Sequence, residues 1–316
     1  MTEGPAELFG PAASELKLVE QGMRNSVAED PPEVALPMSQ LLEAGGKRIR
    51  PALVILSAMC GEYDRNHAAL LAATAVETVH AATLVHDDVI DSAPTRRGKP
   101  TVAATVGDEP AIVIGDFYFA KAYGFASMTN VPEVVELLAD AVMEICAGEV
   151  RQQSIRYRYS TTVDEYMQRI QAKTATLLAA CCDIGALLGG LSTEHRAKLR
   201  EYGLQLGIAF QIADDVLDYT ATEGEVGKPI GHDIIDGFAT LPLMLASIPL
   251  EDNRRLSEGD ARQIVEAVRT SEGPRRALEE AQNHARAARS QLQSLPRSDA
   301  VDALAALTDY VVTRKL

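Results

Sequence analysis

The chain has 316 residues, 47% of them hydrophobic, and no tryptophan. That is ample apolar material for a core, and the length suits either two average domains or one large helical domain. A formal net charge of −15 argues against nucleic acid as a partner and against electrostatic attachment to anionic lipid. Along the chain, apolar residues recur at helical spacing, with no convincing strand alternation. The pattern predicts helices over 11–28, 32–44, 48–60, 66–92, 108–127, 131–157 and 162–190. It continues with 193–220, 238–248, 257–270, 274–294 and 298–314. Thr162 with Glu165 reads as a capping box, Pro274 as a first helical residue, and Ser298 as the cap of the last helix. Stretches 93–107 and 221–237 hold glycine, proline and charge, and are expected to be loops that close over a ligand.

Two copies of Asp-Asp-x-x-Asp stand out: Asp87, Asp88 and Asp91 in LVHDDVID, and Asp214, Asp215 and Asp218 in QIADDVLD. Each lies in an apolar helical run. Positions four apart share one side of a helix, so Asp87 stacks over Asp91 and Asp214 over Asp218. Stacked carboxylates repel unless a cation fills the gap, and magnesium, a hard ion bound by carboxylates and phosphate oxygens, suits it. A solvated acidic face explains one copy; two copies inside apolar helices need more. Phosphate calls for lysine and arginine, and these flank the first copy. GGKRIRP carries Lys47, Arg48 and Arg50, and RRGKPT carries Arg96, Arg97 and Lys99. His80 lies seven residues before Asp87, on the same face, although a lone histidine there is more often structural.

GGKRIRP, LVHDDVID, RRGKPT, QAKTATL, FQIADDVLDY and GKPIGHD, in this order, resemble the trans-isoprenyl diphosphate synthase (polyprenyl synthetase) family over residues 40 to 245. The resemblance implies an all-α fold, with 1–316 as a single bundle of long helices around a central cavity. It implies magnesium as cofactor, about three ions per active site. Asp87 and Asp91 would hold two ions on an allylic diphosphate, with Asp88 in support, and Asp214 a third, helped by Asp215 and Asp218. Lys47, Arg50, Arg97 and His80 would grip isopentenyl diphosphate. Arg96, Lys173 and Lys228 would face the allylic diphosphate, and Thr174 and Gln211 would lie along the reacting carbons. Glu149 and Gln152 match a further signature, in a supporting role. The chain departs from the family at Phe238, where a lysine is common; Phe238 cannot bind diphosphate.

The implied activity is condensation of isopentenyl diphosphate with an allylic diphosphate, by ionisation, condensation and proton elimination. A homodimer is implied as well. Below Asp87 the floor positions Ala82, Thr83, Val79, Thr78 and Ala75 lack an aromatic residue. An open floor predicts a long-chain polyprenyl product, stopped near Leu138 or Met143, with geranylgeranyl or farnesylgeranyl diphosphate as the alternative. A terpene cyclase fits less well, because it carries one aspartate-rich motif. A partner subunit of a heteromeric synthase is the binding-protein alternative, though such subunits usually lose the acids kept here. The opening MTEGPAELFG is unlike a signal peptide. The most apolar stretch, Leu177 to Leu191, is broken by Asp183 and too short to span a bilayer. Cys60, Cys146, Cys181 and Cys182 show no metal spacing, and a cytoplasmic location is expected.

Overall fold

The computed structural model describes residues 9–63, 67–221 and 231–313. It is built of helices: α1 Ala13–Ala28, α2 Pro32–Glu43, α3 Ile49–Met59, α4 His67–Ile90, α5 Val102–Val106, α6 Asp108–Met128 and α7 Pro132–Ser154. There follow α8 Val163–Ile170, a π-helical turn at Gln171–Ala175, α9 Thr176–Leu188, α10 Thr193–Thr220 and α11 His232–Ile235. The last are α12 Leu241–Ala246, α13 Glu258–Arg269, α14 Gly273–Gln291 and α15 Asp299–Thr313. Two compact units divide the chain. One takes residues 1–142, 180–200 and 294–304, the other 143–179, 201–293 and 305–316.

In the first unit α4 is the central element, with apolar or small residues buried on most of its circumference. Alanines at 69, 72, 73, 75 and 82 have no exposed surface, which lets α3 and α6 approach closely. Gly115 of α6 faces His86 of α4, and a Cβ there would lie 2.1 Å from His86 Nε2. Gly185 and Gly189 admit the backbone of α3 in the same way, their virtual Cβ atoms falling 2.2 Å from Val54 O and 2.4 Å from Ala58 O. Within 93–107, expected as loop, Thr95–Arg96 (β1) pairs antiparallel with Lys99–Pro100 (β2). Arg97 and Gly98 make the turn with φ of 52° and 75°. Positive φ at both central residues is the hairpin geometry that matches strand twist. Thr101 then caps α5, its Oγ1 accepting from Ala104 N at 3.0 Å.

In the second unit the predicted capping box at Thr162 and Glu165 starts α8. The helix runs on without a break from Val163 to Leu188, but one turn, QAKTA, is wound as π. Gly148 of α7 and Gly207 of α10 press on that turn; a Cβ at either would fall 2.8 Å and 2.5 Å from Ala172 and Ala175 atoms. Residues 222–230, and with them Lys228 and most of the expected second loop, lie outside the described residues.

The helix that holds most of the apolar run Leu177–Leu191 is longer than that run, so the expectation that it is too short to span a bilayer does not hold. Val163–Leu188, like His67–Ile90, is long and apolar enough to cross a membrane, and length alone excludes neither. Burial separates them from such spans: 72% and 67% of their apolar windows are packed inside the protein, as in core helices.

Asp183, the charge inside the most apolar run, is buried and paired with Arg196 of α10 at 2.9 Å; Arg196 also reaches Glu133 at 2.7 Å. Removing the partner of a buried charge costs more than the pair contributes. Arg196→Met is therefore expected to destabilise the chain by about 3–5 kcal/mol. Adding Asp183→Leu should recover most of the loss, as read by chemical denaturation. A single variant as stable as the parent would refute the pairing.

Candidate active site

In the first unit, α4 carries the first aspartate stretch at its C-terminal end. Asp87 is half-buried, and Asp91, one residue beyond the helix, still donates its amide to Asp87 O at 2.8 Å, so the two acids keep their one-turn stacking. Asp88 points elsewhere. It is 1% exposed, and Oδ1 accepts from Arg96 Nε and lies 2.8 Å from Arg96 Nη2. The structure thus brings Asp88 to Arg96, tying α4 to the β1–β2 hairpin.

The cations gather around His80. Arg48, in left-handed conformation before α3, is spent on structure: Nε meets Glu20 at 2.9 Å and Nη1 meets Glu77 at 2.7 Å. Gly46 leaves room for the guanidinium of Arg97, whose Nη1 lies 3.2 Å from where a Cβ would sit. The Nε of Arg50 is buried without a hydrogen-bond partner. Burial lowers the pKa of Arg50, against the pull of Glu77, Cys181 and Asp87, and burial with Arg96 and Arg48 nearby lowers that of Arg97. Burial, then the guanidiniums of Arg50, Arg97, Arg96 and Arg48, hold the His80 imidazole well below its ordinary range. His80 is therefore neutral, a hydrogen-bonding group among cations. Lys47 is exposed at the rim of the same loop. A buried guanidinium with an unmet donor, beside three more cations and a neutral imidazole, is built for an anion.

In the second unit, α10 carries the second stretch. Asp214 is exposed, Asp218 half-buried, and Asp215 4% exposed. Asp215 ends a hydrogen-bond relay. Thr174 Oγ1 donates to Gln211 Oε1 at 2.7 Å, and Gln211 Nε2 donates to Asp215 Oδ1 at 2.8 Å. The second carboxylate oxygen accepts from Tyr166 Oη at 2.7 Å. Burial pushes the Asp215 carboxyl up to about 7, although Tyr166, Gln211 and Arg169 pull it down. Asp218 is raised by burial and accepts the amides of His232 and Asp233 at 3.3 and 3.2 Å. Asp233 is half-buried, and its carboxyl is raised by desolvation and by Asp218 and Asp215. Lys173 stands on the π-turn and pairs with Glu149 Oε2 at 2.7 Å; Glu149 Oε1 also accepts from Gln153 Nε2 at 2.8 Å. The extra residue of a π-turn shifts the side chains around it, and such turns favour functional positions.

Sequence reading missed Tyr166, Arg169 and Asp233, and gave Glu149 a vague role. Asp233 was in reach, because it stands inside GKPIGHD. Tyr166 and Arg169 look like ordinary helix residues until the fold brings them to Asp215. The floor below Asp87 needs a correction. Ala75, Val79 and Ala82 have no exposed surface, hence no water-sized void beside them, and only Thr83 of the predicted set is more than marginally exposed. Of the two proposed stops, Leu138 is fully buried, whereas Met143 is 61% exposed. Alanine there serves helix packing, and periodicity cannot separate a packed small residue from an open floor.

The family model described as "Polyprenyl synthetase" matches residues 31–273. Over 308 residues the chain is 35% identical to "Heptaprenyl diphosphate synthase component 2" of Bacillus subtilis (strain 168), which covers 95% of this chain and 88% of that protein. It is 36% identical over 315 residues to "Short chain isoprenyl diphosphate synthase" of Methanothermobacter thermautotrophicus, covering 95% of this chain and 96% of that one. The crystal structure of polyprenyl synthase from Caulobacter crescentus CB15, complexed with calcium and isoprenyl diphosphate, superposes with a TM-score of 0.94. It is 35% identical and covers 100% of this chain and 99% of that one.

The titration of the second stretch has a definite sign. Asp215 and Asp218 have folded values above their unfolded ones, so their contribution to stability is full below about pH 4 and lost as pH rises through the folded values. For Asp215 that loss centres near about 7. Melting curves of metal-free protein between about pH 5 and about pH 8 should fall, and Asp215→Asn should flatten the fall. Parallel curves for the two proteins would contradict the assignment.

Proposed function

The chain belongs to the polyprenyl synthetase family, and from that premise we propose that it condenses isopentenyl diphosphate with an allylic diphosphate to build a long-chain polyprenyl diphosphate. It is a prenyltransferase. The observation that carries the reading is the pairing of two aspartate stretches with a separate nest of cations around a neutral His80 and an unmet Arg50 donor. The family match runs through residues of both compact units, which supports 1–316 as one catalytic domain.

The donor set suits magnesium. All six motif acids are hard oxygen donors, and among the described residues no group of three or more His, Cys, Asp or Glu is arranged to cage an ion unaided. Magnesium is commonly held by one or two carboxylates, with waters and substrate phosphates filling the shell. Asp87 with Asp91, and Asp214 with Asp218, would supply the protein's share. When bound, the ions neutralise charge on the departing diphosphate.

The residues of the chain then divide the work. Arg50, Arg97, Lys47 and His80 bind the isopentenyl diphosphate; the neutral imidazole donates a hydrogen bond without adding to the charge. Lys173, aimed by Glu149, faces the allylic diphosphate, and Lys228 joins it. Loss of that diphosphate leaves an allylic cation, which the isopentenyl double bond attacks. Thr174 and Gln211 present fixed dipoles to the cation, their orientation set by the relay to Asp215. The proton leaves to the released diphosphate, closing the new trans double bond. Water must be kept out, since it would trap the cation as an alcohol.

The product is longer than geranylgeranyl diphosphate, a reading supported by the heptaprenyl relative and opposed by the short-chain one. A cytoplasmic enzyme is proposed, a reading supported by the four cysteines, all of them free thiols, as suits a reducing compartment. A second copy of the chain is the proposed partner. Val113, Phe117 and Met128 lie on one exposed side of α6, 65%, 36% and 58% exposed. Sedimentation should find a dimer, and Phe117→Glu should shift it toward monomer; a monomeric parent chain would reject this.

Elongation is tested with labelled isopentenyl diphosphate, magnesium and farnesyl diphosphate, with the dephosphorylated products sized by chromatography. Asp87→Ala and Asp214→Ala are expected to stay folded and lose about 10²–10³-fold in rate. Full activity in either would remove that stretch from the metal site. A ladder ending at geranylgeranyl or farnesylgeranyl length would keep the reaction and discard the long product. Elongation that appears only with a second, different chain would favour the partner-subunit reading.

A further inference from the structure

We propose that Phe238, standing where the resemblance leads one to expect a lysine, is a positioning residue for the second aspartate stretch. It is the central rung of a stack of alternating guanidinium and aromatic groups. The stack lies wholly within the second compact unit. Arg255 lies over the Tyr157 ring at 5.3 Å, and Arg156 over Tyr157 at 5.3 Å and over Phe238 at 5.8 Å. Arg169 lies over Phe238 at 5.7 Å and over Tyr166 at 5.4 Å. These distances fall within the range where a guanidinium is attracted to a ring face. Tyr166, the last rung, donates to Asp215.

The same arginines grip the backbone on either side of Phe238. Arg156 Nε donates to Asp236 O at 2.7 Å, Tyr157 N to Gly237 O at 2.7 Å, and Arg169 Nη2 to Ala239 O at 2.9 Å. The Tyr157 ring closes on Gly237, where a Cβ would fall 2.3 Å from the ring. Phe238 itself, 8% exposed, donates its amide to Asp233 O at 2.9 Å. Segment 236–239 is therefore clamped, and it follows directly on the turn whose amides at 232 and 233 hold Asp218. Phe238 thus reaches two acids of the stretch. It reaches Asp215 through Arg169 and Tyr166, and Asp218 through the clamped turn. A lysine here would set an ammonium between two guanidiniums and push the stack apart. A smaller aliphatic residue would leave each guanidinium with a ring on one side only, Tyr157 for Arg156 and Tyr166 for Arg169.

This inference rests on the metal-binding reading of Asp214, Asp215 and Asp218. It is tested by calorimetric titration of the full chain with magnesium and inorganic pyrophosphate, and by elongation kinetics on the same proteins. Phe238→Leu is expected to weaken magnesium binding about three- to tenfold. It should raise the magnesium concentration for half-maximal rate to match, while KM for isopentenyl diphosphate stays unchanged. Phe238→Tyr, which keeps the ring face, should remain within about twofold of the parent. Phe238→Lys should be at least as impaired as Phe238→Leu. Parental magnesium binding in Phe238→Leu or in Phe238→Lys would overturn the proposal, as would a Tyr variant as weak as the Leu one. Asp214→Ala separates the two ideas. If it binds magnesium like the parent, the metal reading of the second stretch fails and the proposal falls with it. If it loses binding while Phe238→Leu does not, only the proposal fails.

Discussion

Like charges held close together inside an apolar helical protein are the constraint that the rest of the structure answers to. Around His80 stand Arg48, Arg50, Arg96 and Arg97; around Asp215 stand Asp214, Asp218 and Asp233. Each cluster would expel its members unless the fold offsets the repulsion. The offsets are local and specific. Glu20 and Glu77 take Arg48, Asp88 takes Arg96, and Glu149 takes Lys173. Arg169, Tyr166, Gln211 and two backbone amides take the acids. What is left over is also specific: an unmet donor on Arg50, a neutral imidazole, and carboxyls raised toward neutrality. Within each unit these partners answer most of the like charge, which is why each cluster is tolerated.

The helices that carry these groups come close because their contact positions are nearly bare. Alanines on α4 keep its contacts short, and glycines at 115, 148, 185, 189 and 207 admit neighbouring atoms where a Cβ would clash. At the π-turn the same device does more than pack. Gly148 and Gly207 bring α7 and α10 against QAKTA, so that Glu149 can reach Lys173 and Gln211 can reach Thr174. Packing and chemistry are thus set by one feature, and a larger residue at either glycine would disturb both.

Much of the fold was legible in the sequence because helical periodicity is a strong signal, and the long helices were found to within a few residues. The acids and most cations were legible because charge inside apolar helices is conspicuous. What escaped has physical reasons. Arg97 in left-handed conformation and the two-residue strands beside it are set by a turn too short to leave a pattern. The π-turn leaves no mark on periodicity within a single turn. Tyr166 and Arg169 acquire meaning only through partners distant in sequence, Asp215 at the end of a long helix and Phe238 beyond it. The supposed floor failed because alanine is equally the residue of an open pocket and of a tight helix contact.

The two Asp-Asp-x-x-Asp stretches share one more regularity, and helix geometry accounts for it. Adjacent residues on a helix point about 100° apart, so the middle aspartate, one residue from the first and three from the last, sits to one side of the line that joins them. In both stretches it is the middle acid that turns inward: Asp88 is 1% exposed and Asp215 4%, while Asp87 is half-buried and Asp214 exposed. Each inward acid meets donors from another element, Arg96 of the hairpin in one case, Tyr166 of α8 in the other. The second acid of the motif therefore anchors what surrounds the first and third. In the first unit it fixes the hairpin that carries Arg97 toward His80; in the second it fixes the relay that orients Gln211 and Thr174. A motif that looks like three equivalent ligands has, in both stretches, a middle acid buried against a donor from another element.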